Sequence, residues 1–189
     1  MSDSASSLDR VDTERLIGER PSTERVDELC VLMLHPDVLR TTWFGEEPAT
    51  RSHIVDKLNG DIEHWDRYGF GPWLLYDRAT GELVGRGGLK HTIATGIDEV
   101  EIGWSIHPDR WGEGLATELA RASVRTAFEE LDLDEVIAYT ATDNVASWRV
   151  MEKAGMEFDR EIVAVGLPHV LYRARRDPGA GSERVHSPA

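Results

Sequence analysis

Cysteine is nearly absent. Cys30 is the single one in 189 residues, which excludes an internal disulfide and a cysteine-built zinc site within one chain. That usage suits a reducing compartment, and a cytoplasmic protein is the expectation. Long apolar runs are also missing: nothing approaches the roughly 18 apolar residues of a membrane span. The first ten residues are rich in Ser and Asp and lack the basic-then-apolar order of a secretory signal. No membrane association is expected. Cations are scarce, with 21 Lys and Arg against 35 Asp and Glu and a formal net charge of −14. Binding a phosphate backbone through overall charge would work against that field, so no nucleic-acid partner is expected. An acidic surplus attracts a cationic small molecule or a basic protein tail, and it also serves as a plain solubility device. Repeats with a period of about 20 to 50 residues are lacking, which removes solenoid architectures.

What is present suffices for one core. Hydrophobic residues make up 40% and charged residues 30% of the chain, and the length favours one domain of about 150 to 200 residues. Residues 1–10 and 176–189 offer no apolar face and are expected to be mobile tails around a domain at 11–175. Within it, Thr13–Arg20 reads as a first strand. Pro21 and Ser22 open a helix with Val26, Leu29, Cys30, Met33 and Leu34 at spacings of three and four. Cys30 on that face is expected to be a small buried hydrophobe rather than a nucleophile. A second helix over 48–67 carries Ile54, Leu58, Ile62 and Trp65 on one side and stops at Gly69 and Gly71. Pro72–Asp77 and Leu83–His91 flank the turn Arg78-Ala79-Thr80-Gly81 and predict a hairpin. Val100–Ile106 alternates apolar Val100, Ile102, Trp104 and Ile106 against Glu101, Gly103 and Ser105. A helix from near Leu115 to about Leu131, a strand Glu135–Thr140, a helix Val145–Ala154 closed by Gly155, and two strands over 157–174 complete the chain. This order predicts a single-domain mixed α/β sheet of about seven strands flanked by four helices.

The stretch from Trp104 to Thr117 leaves a strand at Pro108, passes a loop with Gly112 and Gly114, and enters a helix. Glycine lets the backbone approach a ligand, and a helix N-terminus adds unpaired N–H groups and a positive dipole end. A phosphorylated ligand suits such a loop, and so does an ordinary strand-to-helix turn. The P-loop pattern Gly-x-x-x-x-Gly-Lys and the dinucleotide pattern Gly-x-Gly-x-x-Gly are both missing. The loop also has no lysine, so an anion there would be held mainly by main-chain amides. Downstream, Asn144 and Ser147 stand three apart at a helix start and share a face. Asn144 is equally readable as a helix cap and as a ligand contact.

Together the two segments resemble the GNAT superfamily of acetyl-CoA-dependent N-acetyltransferases, and within it the branch typified by the ribosomal-protein alanine N-acetyltransferases. The resemblance covers about residues 13–174. It rests on Glu14-Arg15-Leu16, Glu101-Ile102-Gly103-Trp104, Trp111-Gly112-Glu113-Gly114-Leu115-Ala116-Thr117, and Asn144-x-x-Ser147 with Glu152-Lys153-x-Gly155. It implies a mostly antiparallel twisted sheet with a splayed strand pair that holds acetyl-CoA. Ser105, Ile106 and His107 would then meet the pantetheine arm through main-chain groups. Trp111, Gly112, Glu113, Gly114, Leu115, Ala116 and Thr117 would wrap the pyrophosphate, Asn144 would hydrogen-bond the pantetheine, and Ser147 would lie near the sulfur. The superfamily loop starts with Gln or Arg where this chain has Trp111, with Arg110 one residue earlier. The acceptor pocket would be built from the first two helices and the last hairpin, with Trp43, Phe44 and the cluster His64, Trp65, Tyr68, Phe70 and Trp73. No metal is implied, and a homodimer is left open.

Direct acetyl transfer to an amine needs a neutral amine, a polarised carbonyl and a proton for the departing thiolate. Strand parity places Glu101 on the polar face of the strand entering the site, as a base or as a carboxylate that only orders the strand. His107 is the rival base, although a residue before proline often serves the turn. Ser147 is the candidate acid, with hydrogen bonding to its own helix as the alternative. A protein N-terminus and a small-molecule amine are both open as acceptor. A non-catalytic acyl-CoA-binding sensor is the competing reading, less favoured because a pure binder needs no acid or base. A nucleotide-binding regulatory module would need a base- or ribose-recognition feature, and none is found.

Overall fold

Alternation along the central strands divides the interior in two. The computed structural model describes residues 8–177, so residues 1–7 and 178–189, most of the two expected tails, lie outside the described residues. The strands are β1 (Arg10–Asp12), β2 (Leu16–Glu19), β3 (Pro72–Asp77), β4 (Leu83–Thr92), β5 (Glu99–Ile106), β6 (Glu135–Ala141), β7 (Glu157–Ala164) and β8 (Leu167–Arg175). They form one sheet in the order β1-β2-β3-β4-β5-β6-β8-β7. Every neighbouring pair is antiparallel except β5 with β6. The helices are α1 (Val26–Met33), α2 (Pro36–Thr42), α3 (Arg51–Tyr68), α4 (Leu115–Arg125) and α5 (Val145–Lys153). On β3, Leu74 and Tyr76 join a core with Leu29 and Leu32 of α1 and Ile54 and Leu58 of α3. Trp73 and Leu75, on the opposite face, join a core with Leu115 and Leu119 of α4 and Met151 of α5. Among the described residues no helix is long and apolar enough to cross a membrane.

The mixed α/β class is as expected, with eight strands in place of about seven and five helices in place of four. The first strand is two: Glu14 and Arg15 lie in the turn between β1 and β2. Glu118 of α4 holds that turn, accepting from Thr13 Oγ1 at 2.5 Å and from the Arg15 amide at 2.7 Å. The additional helix, α2, is seven residues long, too short to display a period; Pro36 starts it and His35 Nδ1 caps it, accepting from the Asp37 amide at 3.2 Å. The helix expected to reach Leu131 is α-helical only to Arg125 and closes in a π turn, Thr126–Glu130. The ordered edges also extend further than expected. Trp73 Nε1 donates to the Leu8 carbonyl at 2.9 Å, and the Arg176 amide donates to the Asp134 carbonyl at 2.8 Å. Cys30 is half-buried, and burial pushes its thiol pKa up, the opposite of an activated nucleophile.

Helix α4 lies close over β4 and β5 because β4 carries glycine there. A Cβ on Gly87 would run into the Gly103 carbonyl oxygen and lie 2.7 Å from Leu119 Cδ2. Gly87→Ala should therefore lower stability by about 1–3 kcal/mol, read as a lower urea midpoint at unchanged slope. An unchanged midpoint would show that α4 can lift without loss.

Candidate active site

Parallel strands β5 and β6 share a single register pair, Glu101 with Ile137, and part toward their C-terminal ends. The gap opens into a cavity of about 420 Å³ lined by Trp104, Ser105, Ile106, the loop at Gly112 and Gly114, the first turn of α4, and Asn144 and Ser147 of α5. Asp37, Arg40 and Thr41 of α2 close one side, and Arg149 and Lys153 of α5 add cations. Gly112 and Gly114 have φ of 82° and 85°, a left-handed backbone open to glycine at little cost. The Glu118 amide bonds to the Gly114 carbonyl at 3.0 Å, so the amides of Leu115, Ala116 and Thr117, in the first turn, have no partner within the helix. These donors, the dipole end of α4 and the lysine-free loop suit a diphosphate.

The register with β4 corrects the main-chain assignments on β5. The His107 amide donates to the Val84 carbonyl at 2.8 Å, and its carbonyl accepts from the Arg110 amide at 2.9 Å. In an antiparallel pair these contacts alternate, so Ser105, two residues back and opposite Arg86, also turns its main-chain groups toward β4. The groups of Trp104 and Ile106 face the gap instead. Of the three residues expected to line the arm by main chain, only Ile106 turns its amide that way. Trp104 was missed, because its side chain reads as core and the orientation of its amide depends on a register invisible in sequence. His107 lies outside the cavity lining, and its ring accepts from the Asp109 amide at 3.3 Å, a role in the turn rather than at the gap.

The loop is tied from three directions. Trp111, half exposed, donates its indole N–H to the Ile106 carbonyl at 2.7 Å. Arg110 bonds Asp77 at 2.8 Å and Glu113 at 2.9 Å, which answers where its guanidinium goes. Hydrogen bonds from Arg110 and from the amides of Thr80 and Ala79 hold the Asp77 carboxyl below its ordinary range. Glu113, paired with Arg110, is itself outside the cavity lining, and its carbonyl accepts from Arg15 Nη1 at 2.8 Å. Asn144 does cap α5, its Oδ1 accepting from the Ser147 amide at 3.3 Å while its Nδ2 donates to Thr140 Oγ1 at 3.0 Å. A second amide hydrogen remains on Nδ2 for the cavity that Asn144 lines.

Glu101 is not among the residues lining the cavity; it lies where β5 and β6 are still paired, on the α3 face of the sheet. Its Oε2 is buried without a hydrogen-bond partner. Burial raises its pKa above the ordinary value, while the hydroxyls of Tyr139 and Thr92 and the ammonium groups of Lys57 and Lys90 pull the other way. Burial, followed by the neighbouring Glu101 charge, raises the Tyr139 pKa to about 12. Tyr139 leads outward through His169, ring centroids 5.7 Å apart, to Phe44 at 6.0 Å from His169. The last hairpin and the segment after α2 thus meet there. The expected cluster does not: Trp65, Trp73 and Phe70 are buried in the core, and His64 is held between the Phe70 carbonyl at 2.8 Å and the His91 amide at 3.0 Å. Among the described residues no group of three His, Cys, Asp or Glu is arranged to hold a metal ion.

A family model described as the acetyltransferase (GNAT) domain matches residues 15–157. The chain is 44% identical over 137 residues to the FsC-acetyl coenzyme A-N(2)-transacetylase of Aspergillus fumigatus, a match covering 66% of this chain and 55% of that protein. The chain thus spans little more than half the length of that relative. The fold is similar to an acetyltransferase from Agrobacterium tumefaciens (TM-score 0.76, 23% identity, 93% of this chain and 99% of the other). It is similar too to RimL, a ribosomal alpha-N-protein acetyltransferase in complex with coenzyme A (TM-score 0.72, 13% identity, 88% and 97%).

A carboxyl whose pKa is raised on folding binds its proton more tightly in the folded state. Glu101 therefore favours folding at low pH, and that contribution fades as pH climbs through the raised value. A carbon-13 titration of the Glu101 carboxyl should give a midpoint above that of an exposed glutamate, and Tyr139→Phe, which removes a lowering hydrogen bond, should move it higher. An ordinary midpoint in both proteins would contradict the burial.

Proposed function

The chain belongs to the GNAT acetyltransferase family, and from that premise we propose that it moves an acetyl group from acetyl-CoA to a primary amine by direct transfer within a ternary complex. The observation that carries the reading is the arrangement along β5: a diphosphate-suited loop at the cavity beyond its end and, where β5 and β6 are still paired, a buried carboxyl with one unpartnered oxygen. Acetyl-CoA supplies a thioester carbon open to attack by an amine. The loop from Trp111 to Thr117 binds the diphosphate through main-chain amides, with Gly112 and Gly114 giving the close approach. The amides of Trp104 and Ile106 are the donors for the pantetheine arm and the acetyl oxygen, and Asn144 adds the second hydrogen of its Nδ2.

Glu101 takes the proton of the incoming ammonium, directly or through water. Burial raises its pKa, which makes it a stronger proton acceptor than an exposed glutamate. Tyr139 keeps its own proton at neutral pH and orients the Glu101 carboxyl. Ser147 lines the cavity, within the half of the site reserved for the thiol, and gives the departing sulfur its proton. Cys30, on α1 and outside the cavity lining, takes no part. No covalent enzyme intermediate is needed, because holding both reactants in one gap supplies the proximity.

The protein is expected to release thiol from acetyl-CoA when an amine is supplied. Glu101→Gln should lower kcat/KM by about 10²-fold or more and abolish the rise of rate with pH that tracks the Glu101 carboxyl. Full activity of that variant from pH 6 to 9 would dismiss the base. Ser147→Ala should reduce kcat and leave the affinity for acetyl-CoA nearly unchanged; a large affinity loss at unchanged turnover would contradict the acid role.

A further inference from the structure

Beside Glu101 lies a cluster whose charges do not balance. Asp61 of α3, 1% exposed at its side chain, accepts from Arg86 Nε at 2.6 Å on one oxygen and from Lys90 Nζ at 3.1 Å on the other. Both oxygens are thus engaged by cations of β4. Lys57 stands one helical turn before Asp61, exposed to solvent, and among the described residues no carboxylate lies within ion-pair distance of it. Three cations, Arg86, Lys57 and Lys90, stand against two carboxyl groups, Asp61 and Glu101, in a chain whose overall charge is −14. Lys90 is opposite Glu101 in the strand register, and both lysines act electrostatically on the Glu101 carboxyl. A lysine on a solvated helix face normally spreads its charge into water. Lys57 is instead held against like charges: the repulsion of Arg86 is the largest cause drawing its pKa down to about 8. An anion delivered to this spot would relieve that repulsion.

We propose that the acceptor carries a carboxylate close to its amino group, received by Lys57 and Lys90 while Glu101 faces the amine. This rests on the transfer reading above and narrows its acceptor. Free amino acids and amino-acid-like metabolites fit, whereas a protein N-terminus has consumed its α-carboxyl in a peptide bond. The chain's negative surplus therefore does not act at this end of the gap, where the local field is positive. Phe44, His169 and Tyr139 wall the approach, which makes an aromatic side chain a suitable probe.

The test uses matched amines that differ only in the carboxylate: phenylalanine with phenethylamine, and ornithine with putrescine. Thiol release from acetyl-CoA should favour the carboxylated partner of each pair by about tenfold or more in kcat/KM, and Lys57→Met should cut that preference by about tenfold, an effect of about 1.4 kcal/mol. A thermal melt of the variant within about a degree of the parent would show that exposed Lys57 does not support the fold. Equal rates within the pairs, or a preference untouched in both Lys57→Met and Lys90→Met, would overturn the proposal. If no amine of either kind releases thiol, the transfer reading fails. The carboxylate site is then read by thermal shift with CoA plus N-acetylphenylalanine or N-acetylphenethylamine: stabilisation by the first alone, lost in Lys57→Met, keeps it, and equal or absent stabilisation sinks it.

Discussion

Everything at the site follows from how briefly β5 and β6 stay together. The two strands run parallel, and a parallel ladder buried between helices normally continues as far as both strands allow. Here it holds at Glu101 and Ile137 and then opens. The main-chain groups of Trp104 and Ile106 that would have served the ladder are left facing a cavity. An unpaired buried amide costs as much as a lost hydrogen bond, so the separation persists only if something polar occupies the gap or water reaches it. The pairing on the other side of β5 is complete, eight residues of β4 in register, and that rigid partner keeps β5 straight while β6 bends away.

Charge is distributed against the overall sign. A protein with net charge −14 that, by the proposals above, takes an anionic nucleotide and the carboxylate of its acceptor must create positive potential locally. It does so by two means. At the donor end the potential comes from backbone dipoles and from Arg149 and Lys153 of α5, because the loop spends its one arginine, Arg110, on Asp77 and Glu113. At the acceptor end it comes from side chains, with three cations against Asp61 and Glu101. The acidic groups that dominate the composition lie elsewhere or are already paired.

Much of the fold was legible because long periodic segments dominate it. Residues 51–68 and the hairpin at Arg78-Ala79-Thr80-Gly81 lie where spacing and turn chemistry put them. What escaped detection was short or depended on distant partners. Helix α2 has too few residues to repeat, and the break in the first strand is held by Glu118, about a hundred positions away. At the site, the loop glycines, Asn144, Ser147 and Glu101 were readable as types in a pattern. The main-chain orientations were not, because the side of β5 that an amide faces is set by its pairing with β4, which keeps Ile106 toward the gap and puts Trp104 there in place of Ser105 and His107. Nothing in the sequence sets Lys57 apart. Only the convergence of α3 with β4 reveals the crowd of cations around it. The aromatics from Trp65 to Trp73 misled for the ordinary reason that large rings are most often core.

The indole of Trp111 gives the loop a property beyond chemistry. Its hydrogen bond to the Ile106 carbonyl runs from the start of the loop to the end of the strand it left, through a side chain whose flat fused rings leave only two rotatable bonds. The indole thus fastens loop to strand, and it occupies the one main-chain acceptor at Ile106 that would otherwise compete with a ligand for the donors of the gap. A loss of that ring would loosen the junction where the strand ends and the diphosphate-suited loop begins.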